Sequence, residues 1–374
     1  MSKPKIIWTN VILFTITGLV GVIGVPVYGY FYGYDIYHLI ATVLCIGYCG
    51  MSITAGYHRL WSHHAYQANP VIRFIYALGG AFALQNSALH WSSDHRIHHR
   101  HVDDNDRDPY SAKRGFFYSH IGWMLREYQR ERYEDYSNVP DLQRDKIVMW
   151  QHKHYLTLAI LTNFGIPLAI GLIHGDVWGM LLTVGVLRLV ISHHVTFFIN
   201  SLAHIWGRQP YSDGNTARDN GLIAYFTFGE GYHNYHHCFQ FDYRNGIRWW
   251  QFDPTKWLIW TLDKIGLAHN LRRCGNDRIE KAKAEMSLKK ATASLHTLPN
   301  AEEVKAKLQA EYDALVEKIN EAYAAQKAWV ELKKDTLKKS YEHEKAEAMK
   351  QYKELKISLQ EQRDRWQSLV AQYA

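Results

Sequence analysis

Apolar residues are bunched along this 374-residue chain rather than spread through it. Residues 6–31 and 36–57 form one pair of long apolar stretches, and residues 155–174 and 177–203 form another. Each is long enough to cross the ~30 Å hydrocarbon layer of a bilayer, which takes about 20 helical residues. The connections inside the pairs, near residues 33–35 and 174–176, carry no Lys or Arg, whereas the flanking segments carry many. By the positive-inside rule both termini, the region 58–153 and everything after His204 are expected on the cytoplasmic side. The expected fold class is all-α integral membrane: four transmembrane helices with a cytoplasmic His-rich helical cap, forming one domain over residues 1–273.

Residues 71–89 are also apolar, but Asn69, Pro70, Arg73, Gly79, Gly80, Gln85 and Asn86 interrupt them. A full crossing there would put His58 and His95 on opposite faces of the bilayer, so an amphipathic or partly embedded segment is expected. The first apolar run is too long for a removable signal peptide and lacks a small-residue cleavage site, which predicts a retained span.

After Arg273 the pattern changes, and Lys, Glu, Ala and Gln dominate. Pro299 and Asn300, with Glu303 three residues after the Asn, resemble a capped helix start. Leu308, Tyr312, Leu315, Ile319 and Tyr323 then recur at three- and four-residue steps, as in a coiled-coil seam. Residues 274–374 are therefore expected to form a soluble long helix or helical hairpin that mediates self-association or docks a partner; a plain surface helix is the alternative.

The formal net charge of +7 fits cytoplasmic anchoring and attraction to acidic electron carriers or anionic membrane lipid. No motif supports nucleic-acid binding. Cys45 and Cys49 share a helix face inside the second apolar run without CxxC spacing, and Cys238 and Cys274 suggest no disulfide framework.

The chemistry lies in the histidines. Three clusters stand out: His58-Arg-Leu-Trp-Ser-His63, His95-Arg-Ile-His98-His99 and His233-Asn-Tyr-His236-His237, joined by Asn200 and His204 at the end of an apolar run. Neutral imidazole is the commonest side-chain metal ligand. On a helix His95 can align with His98 and His99, but those two splay by roughly 100°, and His236 and His237 repeat the arrangement. That splay suits two neighbouring metals. His58 and His63 would sit roughly 140° apart on a regular helix, so the helix is expected to fray or bend there. His38, His90, His101, His120, His152, His154 and His174 are read as surface or supporting groups. Arg188, His193 and His194 fall inside the fourth apolar run, where ionisable groups face protein or a cavity, and polar packing is expected of the two histidines. Imidazole-rich ligation without thiolates suits iron, zinc, copper or nickel. Oxidising unactivated hydrocarbon needs an oxidant that no side chain provides, and iron with dioxygen meets that need.

The stretches Gly56-Tyr-His-Arg-Leu-Trp-Ser-His-His64, Trp91-Ser-Ser-Asp-His-Arg-Ile-His-His99, Arg114-Gly-Phe-Phe-Tyr-Ser-His-Ile-Gly-Trp123, Asn200-Ser-Leu-Ala-His204 and Gly229-Glu-Gly-Tyr-His-Asn-Tyr-His-His237 carry a family resemblance. The chain resembles the membrane-bound fatty-acid desaturases, most closely the acyl-CoA Δ9 desaturase group that includes stearoyl-CoA desaturase. The resemblance implies two iron ions, with O2 as co-substrate. One iron would be held by His58, His63, His95, His99 and His236, and the other by His98, His204, His233 and His237, with Asn200 reaching it through water. It implies a cis double bond, introduced at Δ9 into a saturated acyl chain held in an apolar tunnel near Thr196 and Phe197. Phe197 stands where animal relatives usually carry Trp. Asn86 and Asp94 would contact the acyl-CoA handle, and Lys113 and Arg114 its phosphates; positive-inside charge near headgroups is the plain alternative for the last two. Ser93 replaces an Arg common in the animal enzymes, which keeps acyl-lipid substrates open.

No haem-binding or iron-sulfur motif occurs in the tail, so electrons are expected from a separate ferredoxin or cytochrome with its reductase. The short amino-terminal segment and the lack of a recognisable retention signal favour a bacterial inner membrane over the endoplasmic reticulum. Two rival functions remain: a lipid or alkane hydroxylase on the same di-iron scaffold, and a membrane metal transporter. Transport sites usually lie near mid-membrane, unlike these clusters.

Overall fold

The computed structural model describes residues 4–297, 299–334 and 342–373. Among the described residues four helices are long and apolar enough to cross a membrane: Trp8–Tyr32, Ile36–Ser62, Tyr155–His174 and Val177–Ile205. Their bounds follow the apolar runs closely, because the run of lipid-compatible side chains is what a spanning helix must supply. Ile12, Ile16, Leu19, Leu39 and Val43 are exposed along the first two, as a lipid-facing surface requires. The second span is longer than its apolar run because Ser52–Ser62 continues it with π winding.

The short connections are built from caps. Gly33, at φ 76°, ends the first span, and Asp35 starts the second by accepting hydrogen bonds from the amides of Tyr37 and His38. Gly175, at φ 94°, ends the third, and the Asp176 carboxylate accepts from the amide of Gly179.

Pro70–Ala83 is a 14-residue apolar helix, about 21 Å long at 1.5 Å per residue and therefore shorter than the hydrocarbon layer. It packs on the π-wound segment at close range: a Cβ on Gly80 would lie 2.2 Å from the Tyr57 ring, and one on Gly56 would lie 2.7 Å from Tyr76 Cβ. Leu84, in the left-handed conformation at φ 52°, stops it.

The ionisable groups of the fourth span find partners within the protein. Arg188 is fully buried and donates to Phe82 O at 2.6 Å and Asn163 Oδ1 at 2.7 Å, with its guanidinium 3.9 Å from the Phe82 ring centroid. His193 Nε2 lies 3.0 Å from Ala83 O, and His194 Nδ1 lies 2.9 Å from His120 Nε2. Polar packing thus accounts for both histidines. Among the described residues sheet is confined to Gln67–Ala68 paired antiparallel with Ala268–His269.

The chain divides into two compact units: residues up to Arg208 together with Gly214–Arg273, and Gln209–Asp213 together with the chain from Cys274 onward. The second unit contains the helices Asn276–Ala293, Ala301–Lys334 and Glu342–Ala371. The last two run antiparallel, since Gln362 donates to Glu311 while Trp329 stacks on Tyr352. Leu308, Leu315 and Ile319 are buried in the core of this unit, with Tyr312 and Tyr323 packed at its edge. Leu359, Trp366 and Leu369 of the last helix fill the other side of the seam.

Candidate metal centre

Four short pieces of helix deliver the histidines. Ala88–His101 is capped by the Ser87 hydroxyl and carries His95, His98 and His99. Leu202–Ile205 carries His204, and His233–Cys238 carries His233, His236 and His237. The fourth piece, Ser52–Ser62, departs from the expected fraying. It is π-wound, and the amide of His63 donates to His58 O at 3.1 Å. Five-residue hydrogen bonding places residues five apart on nearly one face, a rare geometry that recurs at functional sites. The His58 and His63 ring centroids are consequently 4.8 Å apart.

The nine histidines gather into two groups, His58, His63, His95, His99 and His236 in one and His98, His204, His233 and His237 in the other, each with its ligand atoms within 4.8 Å of one another. Ring nitrogens face ring nitrogens. The Nε2 atoms of His58 and His236 are 3.0 Å apart, those of His63 and His95 2.8 Å, and those of His236 and His99 2.9 Å. In the second group Nε2 of His233 lies 3.1 Å from that of His204 and 3.1 Å from that of His237.

The opposite edges of several rings are held by acceptors. His98 Nδ1 lies 2.9 Å from Asp108 Oδ1 and His58 Nδ1 2.9 Å from Glu230 Oε2. His204 Nδ1 lies 2.9 Å from Thr216 Oγ1, whose hydroxyl donates to Asp103 at 2.6 Å and therefore accepts from the imidazole. An imidazole whose one N–H points at a carboxylate turns a lone pair on Nε2 toward the centre. Burial and then repulsion among neighbouring rings hold His63, His95, His99, His233, His236 and His237 well below the ordinary imidazole value, which keeps them neutral. Converging neutral lone pairs repel one another unless a cation sits among them. The donor set therefore fits two metal ions.

Two supporting carboxylates were not singled out from sequence. Glu230 is buried, accepts from Arg59 Nη2 at 2.9 Å and from Asn245 Nδ2 at 2.7 Å, and faces His58. Burial alone would raise its carboxyl, but His58 and Arg59 hold it down to about 2. Arg59 also meets Asp253, at 3.0 Å. The signals were Glu230 three residues before His233 and Asp108 in the acidic run after His101.

The other residues singled out from sequence fall in several places. Asn200 ends the helix Arg188–Asn200, four residues before His204. Thr196 lines a narrow apolar cavity between the second and fourth spans, along with Cys49, Gly50, Ile53, Ile199 and Phe228, and it accepts from Gln85 Nε2 at 2.9 Å. Phe197 turns elsewhere and packs against Phe14, His120 and His193. Asn86 is exposed, with φ 72°, and its amide donates to the Tyr155 hydroxyl at 2.8 Å. Asp94 is buried, with Oδ1 3.0 Å from Arg132 Nη1. Lys113 and Arg114 are exposed, and the Arg114 guanidinium lies 4.0 Å from the Tyr118 ring centroid.

Apolar spans with two adjoining, largely buried imidazole groups mark a membrane protein whose histidines are fitted to bind metal. The profile of the family described as "Fatty acid desaturase" matches residues 36–272, more than half of the chain. The chain belongs to the fatty acid desaturase family. It is 48% identical over 244 residues to a "Probable acyl-CoA desaturase" of Schizosaccharomyces pombe, covering 65% of this chain and 50% of that protein. It is 42% identical over 290 residues to "Acyl-CoA desaturase 1" of Saccharomyces cerevisiae, covering 76% of this chain and 55% of the other. It is 36% identical over 286 residues to "Stearoyl-CoA desaturase 5" of Bos taurus, covering 75% and 84%. The chain thus spans about half the length of the two fungal relatives.

Proposed function

We propose that this protein is an O2-dependent acyl desaturase that introduces a cis double bond, at Δ9, into a saturated acyl chain carried by coenzyme A. The observation that carries this reading is the pair of imidazole groups beside an enclosed apolar cavity. Ile53 and Thr54 line that cavity from the turn just before His58, and Thr196 and Ile199 line it just before Asn200. The names of the fungal and cattle relatives support the acyl-CoA carrier.

Two iron ions would be held by the nine histidines, with Asn200 assisting through water, and bound iron supplies the dioxygen activation and oxidising power that no side chain has. The residues of the chain do the rest. Asp108 and the Thr216–Asp103 pair hold the Nδ1 protons of His98 and His204 and aim Nε2 inward, and Glu230 faces His58 Nδ1 at 2.9 Å. The cavity is only about 20 Å³ as it stands, so an acyl chain would have to widen it; held there with one pair of methylenes facing the centre, the chain would be attacked at the bond that positioning selects. Lys113 and Arg114 offer exposed cations to the phosphates of the carrier. Asn86 contacts the carrier from its exposed turn, and Asp94 acts by fixing Arg132. Charge flanking the spans supports a cytoplasmic position for the histidines and both termini. Electrons come from a ferredoxin or cytochrome with its reductase.

The test is mass-spectrometric analysis of fatty acids from a host that co-expresses a redox donor and is fed one defined saturated acid. Wild type should yield a new monounsaturated acid, and His236→Ala should not. A hydroxylated acid in place of the alkene would reassign the protein to the hydroxylases, and no product from wild type would overturn the proposal.

A further inference from the structure

A second imidazole–carboxylate cluster lies at the other end of the spans, separated from His58 along the second span by roughly 30 Å of helix. The turn that joins the first two spans meets the turn that joins the last two. His38 is buried and faces a carboxylate on each ring nitrogen: Nδ1 lies 2.8 Å from Asp35 Oδ1 and Nε2 lies 3.2 Å from Asp176 Oδ2. His174, at the end of the third span, places Nε2 2.8 Å from Asp35 Oδ2. Asp176 is fixed in turn by the Tyr28 hydroxyl at 2.7 Å and the Gly179 amide at 2.8 Å. Gly179 makes room for the pair, since a Cβ there would stand 2.2 Å from Asp176 Oδ2 and 2.5 Å from His38 Nε2.

While its two imidazoles are neutral, the two carboxylates of this cluster face no fixed cation among the described residues. Both carboxylates form ion pairs only with imidazoles among the described residues, and neither turn contains Lys or Arg. With its Nε2–H on Asp176, a neutral His38 turns its Nδ1 lone pair toward Asp35, whose amide N–H reaches it at 3.3 Å while the Oδ1 acceptor stands closer, at 2.8 Å, a contact that a cation or a second proton between them would relieve. One donor atom each from Asp35, His38 and His174 lies within 4.8 Å of the other two.

We propose that Asp35, His38 Nδ1 and His174 Nε2 bind a divalent cation of the zinc class, and that this ion clips the two span hairpins together. Asp176 accepts the Nε2–H of His38, the usual carboxylate support for a metal-bound histidine. Two imidazoles and one carboxylate form a donor set that zinc takes readily, with water completing four-coordination on the half-exposed Asp35 side.

The test uses the full chain in detergent with its histidine clusters loaded with iron, dialysed against low-micromolar zinc. Zinc and iron are measured by mass spectrometry and Tm with and without zinc. Wild type should carry one zinc more than Asp35→Asn or His174→Ala, and zinc should raise its Tm by several degrees but leave theirs unmoved. Asp35→Asn keeps a helix-capping oxygen, and iron content equal to wild type certifies its fold. His236→Ala, which damages the iron-binding clusters, should keep the zinc-dependent rise in Tm. Equal zinc in wild type and both turn variants, with no zinc-dependent Tm in wild type, would overturn the proposal and leave a proton-bridged contact.

Discussion

The surroundings of the histidines and the core of the tail bury opposite kinds of side chain. In the membrane unit the interior around the histidines holds Arg59, Glu230, Asp108 and Asp253, all essentially inaccessible to solvent. In the tail the core is Ala284, Ala291, Leu308, Leu315, Ile319, Leu359 and Trp366. Burying polar and charged groups costs free energy unless each is paired, whereas burying aliphatic groups contributes in proportion to area. The first interior is therefore arranged for what it binds, and its members depend on one another. The second is arranged for its own cohesion.

Four experiments would break or sharpen that contrast. The largest effect is expected from His236→Ala, because His236 Nε2 lies within 3.0 Å of both His58 and His99 Nε2. Losing a group that merely supports a ligand costs about 10–100-fold, so losing this ligand should cost on the order of 100-fold or more in product, with a parallel fall in metal content. Acid comes second. Six imidazoles are kept neutral in the fold, and each binds a proton near pH 6.5 once unfolded. Below about 6.5 the unfolded state holds more protons, so the stability of the metal-depleted membrane unit falls as pH falls, by up to about 1.4 kcal/mol per group and pH unit. The described core of the tail contains no imidazole. Limited proteolysis across pH 7.5 to 5.5 should therefore open the membrane unit first, and simultaneous opening would erase the contrast.

Leu315→Ala should cost the tail about 2–5 kcal/mol through the cavity it leaves, with iron content and product unchanged. Denaturation read by the cleavage of the tail, beside a metal assay, separates the two readouts. The smallest effect is expected from Glu230→Gln, which keeps the shape but removes the charge that faces His58 and Arg59. Metal affinity should fall by about 10–100-fold, seen in a chelator titration, while the protein still inserts. An unchanged titration would show that Glu230 serves Arg59 and Asn245 rather than His58.

Much of this was legible in the residues. Apolar runs placed the spans because lipid leaves a chain little choice, and the 308–323 repeat placed a buried stripe on the tail. Clustering singled out the nine histidines because no packing rule asks for adjacent imidazoles. The partners of the histidines were less legible. Glu230 becomes meaningful only when the fold brings it to His58, 172 positions earlier in the chain, and a single carboxylate has no periodicity to betray it. By sequence alone His38 and His174 are surface or supporting groups for the same reason, since the group they form with Asp35 draws on two different turns.

The π-wound stretch from Ser52 to Ser62 also has a genetic consequence. A helix wound with five-residue hydrogen bonds stores one residue more per turn than its neighbours use. Removing any one residue between His58 and His63 would leave a spacing of four, which α winding accepts, and the segment could relax into an ordinary helix with both rings still on one face. The side chains would then change phase around the helix axis, and Arg59, Trp61 and the chain after His63 would all be displaced from their partners. The length of this stretch is thus inherited as strictly as its histidines, and a one-codon deletion here is expected to be less tolerated than most single substitutions around it.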